Sequence, residues 1–279
     1  MNSLICHNQA ILIKYSVYNM NYYFFLDFPD NDYGSSLDIF NMPSNKKLCK
    51  DTLKDCFVNV FYSDGKKWIF HQHTKLNKNE STLIKKSDLP NHFQDKSVFL
   101  NYSFESKSDT LSLKDIDYMN ANPDWRANIC IFNSKASSSY QGEYPGEFLN
   151  RKISLVSCTP MLQQNAQNYF YLINLQANPT IEPFVLEVYD NFKNKLDEIT
   201  LYTNTINLFK LEKLKNNLNE NMLIFISRKQ GGVPIYLSKS SDDKSISLEH
   251  THPPVEYLYW GERNFFQKNK KIFWFNSEK

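Results

Sequence analysis

The chain has 279 residues, 41% of them apolar and 15% aromatic, with a formal charge of only +2. That length is enough for one large or two ordinary domains, each burying its own core. Mixed charge of both signs excludes a general basic field, so neither nucleic acid nor a membrane is an expected partner.

Taken from the start, the first thirty residues lack a basic region followed by a clean apolar run. Lys14 interrupts the early apolar stretch, and Asn19 and Asn21 interrupt the next. YYFFLDF is far too short to span a bilayer. A soluble, cytoplasmic protein is the expectation. The cysteines (Cys6, Cys49, Cys56, Cys130 and Cys158) number five and lack CxxC spacing, so reduced, buried thiols are expected. DNDYG (30–34) has the look of a calcium loop but lacks the closing glutamate, and it reads as a turn.

Three similarities recur in the same order along the chain. NYYFFLDFPDND (21–32) resembles NYFYLINLQANP (168–179), and VNVFYSDGKKW (58–68) resembles LEVYDNFKNKL (186–196). PGEFL (145–149) resembles PVEYL (254–258), preceded by IFNSKASS (131–138) or IYLSKSSD (235–242). Collinear matches point to internal duplication, with copies at 1–150 and 151–279 and two polar inserts in the first.

Within each copy the apolar period is near two. Val58, Val60 and Tyr62 alternate with Asn59 and Phe61, and turn signals follow at SDG (63–65) and DNFKN (190–194). SVFLNYSF (97–104) and NMLIFISR (221–228) read as further strands. Only KLEKLKNNL (210–218) has helical spacing, at Leu211, Leu214 and Leu218. The expected fold is all-β: two tandem, mostly antiparallel sandwich-like units with one or two short helices. NFFQKNKKIFWF (264–275) reads as a terminal strand buried on both faces, with KNKK as its preceding turn.

The one stretch that suggests chemistry is LEHTHPPVEYLYWG (248–261). His250 and His252 are two apart, so on a strand they share a face, and Glu256 follows the Pro253–Pro254 turn. Two imidazoles and a carboxylate are ordinary ligands for zinc, iron or manganese, and three ligands leave positions open for water. Glu249 would then serve as general base. The H-x-H-x-x-x-E spacing resembles the first metal motif of the cupin family, which implies those three residues as ligands. The family's further histidine has no counterpart after Tyr257, and its leading glycine is missing.

Structural histidines at a strand end explain the same segment without a metal. On that reading no cofactor is expected. The matched segments then offer Tyr140, Gln141, Glu143 and Glu147 in the first copy, and Tyr257, Tyr259 and Trp260 in the second. Flat aromatic faces beside hydrogen-bonding groups suit a carbohydrate or a protein partner. The favoured expectation is a non-catalytic binding protein, and a metal-dependent enzyme is the alternative. A second pair, His71 and His73, does not repeat the first.

Overall fold

The computed structural model describes residues 22–26, 33–41, 55–103, 113, 127–141, 143–145, 149, 154–159, 166–211, 223–250 and 272–275. The first half carries β1 (Tyr22–Phe25), β2 (Gly34–Phe40), β3 (Cys56–Ser63), β4 (Trp68–Leu76), β5 (Ser81–Lys85), β6 (Phe99–Ser103), β7 (Ala127–Phe132), β8 (Ser137–Gln141) and β9 (Glu143–Pro145). The second carries β10 (Leu155–Cys158), β11 (Ala166–Asn174), β12 (Pro183–Tyr189), β13 (Lys195–Tyr202), β14 (Thr205–Lys210), β15 (Ile224–Ser227), β16 (Val233–Ser240) and β17 (Ile246–His250). All the recorded pairings are antiparallel. The fold is all-β.

Two compact units divide the chain. The first holds Met1–Phe132, Ser139–Arg151 and Gln176–Thr180, and the second holds Asn133–Ser138, Lys152–Leu175 and Ile181–Lys279. Sheet I has the order β4-β3-β6-β1-β9 and sheet II the order β5-β2-β7-β8. Sheet III runs β13-β12-β15-β10 and sheet IV β14-β11-β16-β17. Apart from β9, the order is the same in the two halves, strand for strand.

That order places Val60 and Val188 on corresponding strands, β3 and β12. Gln141 and His250 each close a corresponding strand, β8 and β17. The first match behaves differently. Tyr22 opens β1, whose counterpart is β10, whereas Tyr169 lies in β11, the counterpart of β2. Tyr23, Phe24 and Phe25 are buried, and so is β11 from Asn168 onward. Strands covered on both faces lose the alternation that marks register, so their aromatic runs look alike wherever they sit.

Local sequence accounts for the turns. After β3, Asp64 Oδ1 accepts from the amides of Lys66 and Lys67 at 2.8 Å each, and Gly65 takes φ +88°. After β12, Asp190 Oδ1 accepts from the amides of Phe192 (2.9 Å) and Asn194 (2.8 Å), with Lys193 at φ 69°. Such side-chain-to-backbone bonds stabilise turns in place of a ladder.

The second unit's core lies between sheets III and IV. Leu155, Phe184, Leu186, Val188, Leu201 and Phe225 come from one sheet, and Phe170, Leu172 and Tyr236 from the other. Phe170 stacks on Phe225 with ring centroids 4.2 Å apart. In the first unit Tyr102 on β6 points inward, where its hydroxyl donates to the Phe40 carbonyl of β2 at 3.1 Å. Residues 210–218, expected to be helical, lie outside the described residues beyond the buried Leu211.

One expectation is overturned. Residues 272–275 form a single helical turn and not a buried strand, with Ile272 and Phe273 exposed and Trp274 buried. Consecutive aromatics are equally consistent with a strand and with a turn of helix that buries one face, and periodicity over four residues does not separate them.

Candidate functional site

The described parts of the two matched segments that lie in strands sit at sheet edges. Tyr140 and Gln141 end β8 on the edge of sheet II, and Glu143 begins β9 on the edge of sheet I, paired with Phe24. Tyr144 is fully buried, and this aromatic belongs to the core. At the edge of sheet IV, Glu249 pairs with Tyr236 and His250 with Ile235. Glu249 is exposed. Glu147, His252, Glu256, Tyr257, Tyr259 and Trp260 lie outside the described residues, as do the side chains of Tyr140, Gln141, Glu143 and His250. Among the described residues no three His, Cys, Asp or Glu side chains converge as a metal would require.

His71 and His73 do come together. The β3–β4 ladder shifts register where Gln72 pairs with Asn59 and Thr74 with Val58, which leaves His73 as the bulged residue. The two rings stand 6.2 Å apart, and His71 and His92 both lie against the buried Phe93, at 6.5 and 4.6 Å. Burial, with the neighbouring His71, holds His73 below the ordinary imidazole range, against an opposing pull from Asp88. This is an aromatic–imidazole cluster over the end of a core.

The described thiols are free. Burial pushes Cys56 up to about 12 and raises Cys130 as well, which suppresses the thiolate that a nucleophile needs. Tyr236 is likewise raised by burial, and its hydroxyl is shared with Ser157 at 2.8 Å.

Exposed apolar groups mark a different surface, one not singled out from the sequence. Leu83, Ile181, Val185, Phe192, Tyr202, Ile272 and Phe273 are the exposed large apolar side chains among the described residues, and all but Leu83 belong to the second unit. Phe184 and Leu186 point into the core, so Val185 between them faces outward from sheet III at 48% exposure. Tyr202 pairs with Pro183 and is 46% exposed on that same outward face. Phe192 tops the β12–β13 turn at 71% exposure, and Lys193 beside it lies 3.5 Å from the ring of Phe273, itself 61% exposed. Charged groups border the patch: Glu187 pairs with Arg228 at 3.3 Å and Lys195 at 3.5 Å. The available sequence signal was a phenylalanine inside a polar turn.

Fold and surface together define an all-β protein of two sandwich-like units with an apolar, charge-bordered outer sheet face. No family model, curated protein or solved structure matches the chain. No helix among the described residues is long and apolar enough to cross a membrane.

Proposed function

We propose that the protein is a non-catalytic interaction protein, built by internal duplication of a β-sandwich unit, that binds a protein partner through the outward face of sheet III. The observation carrying this reading is the concentration of exposed apolar side chains in the second unit, with Val185 and Tyr202 on one sheet face. Single exposed apolar residues are ordinary; several on one face, rimmed by charge, mark association surfaces. The duplication is supported by the shared strand order.

The test replaces Val185 and Tyr202 by aspartate and measures chemical cross-linking to co-purifying proteins against the wild type. Loss of a specific adduct from a folded variant is expected. An unchanged adduct pattern sinks the assignment of the surface, and glycan-array binding with no protein adduct moves the ligand class to carbohydrate. Elemental analysis addresses the metal-dependent alternative. A stoichiometric metal that disappears in His252→Ala overturns the non-catalytic reading.

A further inference from the structure

The outward face of sheet III is divided. Its β12–β13 side is exposed, while its β10–β15 side is covered by the helical turn at 272–275. Val156, Ile224 and Ile226 are buried there under Trp274, with Cys158, Tyr189 and Phe275 packed around them. Register aligns these groups, since Val156 pairs with Ile226 and both Cys158 and Tyr189 with Ile224. Among the described residues, the covering turn meets the sheet through ring, cation and side-chain-to-carbonyl contacts, and none of them is a strand-ladder bond. Trp274 lies 5.9 Å from the Tyr189 ring, and the Arg228 guanidinium 5.5 Å from that of Phe275. Lys193 donates to the Phe273 carbonyl at 2.9 Å while its ammonium lies 3.5 Å from the Phe273 ring and 5.5 Å from that of Trp274.

A helix of one turn is not stable alone in water, because nucleation costs more than a single turn returns. The position of 272–275 therefore depends on docking. Residues 251–271 connect β17 to this turn in the chain, so docking of the turn on sheet III is an intramolecular event. The recognition elements are an apolar floor for one indole, cations for aromatic faces and a lysine for a backbone carbonyl. None of these requires this particular chain.

We propose that the β10–β15 side of sheet III is a peptide-binding site for a partner segment carrying adjacent aromatic residues, occupied in cis by Phe273, Trp274 and Phe275. This rests on the proposed interaction function and extends it. The exposed Val185 and Tyr202 are the permanent half of the surface, and the covered floor is the half that a partner must win from the chain itself.

The experiment uses full-length protein and a fluorescein-labelled peptide of residues 264–279, read by polarisation. Trp274→Ala/Phe275→Ala, which leaves the floor intact, should bind the peptide at least about ten-fold tighter than wild type, because a filled site lowers apparent affinity by its vacant fraction. Equal binding by the two folded proteins, or none by either, overturns the proposal. Should the double variant fail to fold, Phe275→Ala alone is read in the same way, with a smaller gain expected and no gain overturning the idea. In parallel, mass-spectrometric maleimide labelling of Cys158 in wild type should be slow and should quicken in the variant. Concentration-dependent dimerisation of wild type that the variant abolishes would assign the site to a second copy and overturn the partner role. A peptide result in either direction leaves the Val185/Tyr202 cross-linking test standing, so the two readings fail separately.

Discussion

The outward faces of sheets I and III occupy corresponding places in the strand order, and they differ in what they leave open. On sheet I, Tyr23, Phe25, Phe61 and Phe99 are all essentially buried, with Phe61 between Tyr23 (6.1 Å), Trp68 (5.4 Å) and Phe99 (6.0 Å). The 176–180 segment seals one side: Trp68 Nε1 donates to Ala177 O at 3.3 Å, and Ser63 Oγ donates to Pro179 O. On sheet III the floor is aliphatic, the cover is one helical turn, and the neighbouring strand pair remains exposed. Two sheets of the same strand order thus carry a closed face and an open one. The lesson is that strand order sets where a face lies, and the few residues outside the strands set whether it is available.

The largest effect should come from breaking the closed face. Phe61→Ala empties a site lined by three aromatic rings and should cost about 3–5 kcal/mol in chemical denaturation. Tyr189→Ala, on the corresponding strand of the open face, should cost on the order of 1 kcal/mol, since its ring is only half-buried. Equal losses would erase the distinction between the faces.

Next in size is the polar group inside the closed face. Asn59 is fully buried and donates from Nδ2 to Ser103 Oγ at 2.9 Å and to Asn101 Oδ1 at 3.3 Å. Ser103→Ala removes the shorter acceptor and should cost about 1–3 kcal/mol, measured as a shift in the denaturant midpoint. No shift would mean that this face admits water.

Acid should affect the first unit through His73. Its imidazole is held below the unfolded value by burial and by His71, so the neutral form is the one the fold prefers. Stability from this group is therefore complete above the unfolded pKa of about 6.5 and declines as pH falls from there through the lowered folded value. Melting temperature should drop between neutral pH and mild acid, and His73→Gln should flatten that drop. A variant with an unchanged pH profile would remove His73 from the account.

The smallest effect is expected in the β16–β17 turn. Hydrogen bonds from Ser240 and the Lys244 amide hold Asp242 down to about 2. Its contribution is present above the unfolded carboxylate range and fades as pH falls towards 2. Because the group is exposed, Asp242→Asn should shift the melting point only slightly, with the shift complete above about pH 4 and vanishing as pH falls towards 2. A larger shift than that of Ser103→Ala would reverse the ranking.

Much of the fold was legible in the chain itself. Alternation at Val58, Val60 and Tyr62 located β3, SDG and DNFKN located the hairpin turns, and 97–104 and 221–228 held β6 and β15. These signals are local: side chains two apart share a face, and aspartate or glycine permits a turn whatever lies beyond it. The sequence match of Val60 with Val188 falls on corresponding strands, whereas that of Tyr22 with Tyr169 does not, because a run of consecutive aromatics carries no period that fixes its place. The surface proposed for binding was not legible. Val185 and Tyr202 have the ordinary composition of strands, and only the pairing of Pro183 with Tyr202 puts them on one outward face. The aromatic run at 272–275 was visible as an aromatic run and nothing more. Its helical turn, its buried Trp274 and its exposed Phe273 depend on Val156, Ile224, Ile226 and Lys193, which come from distant parts of the chain. Local propensity and periodicity determine which segments become strands and where they turn. Which faces close and which stay open depends on long-range packing, because burial belongs to pairs of surfaces and a single segment contains only one of them.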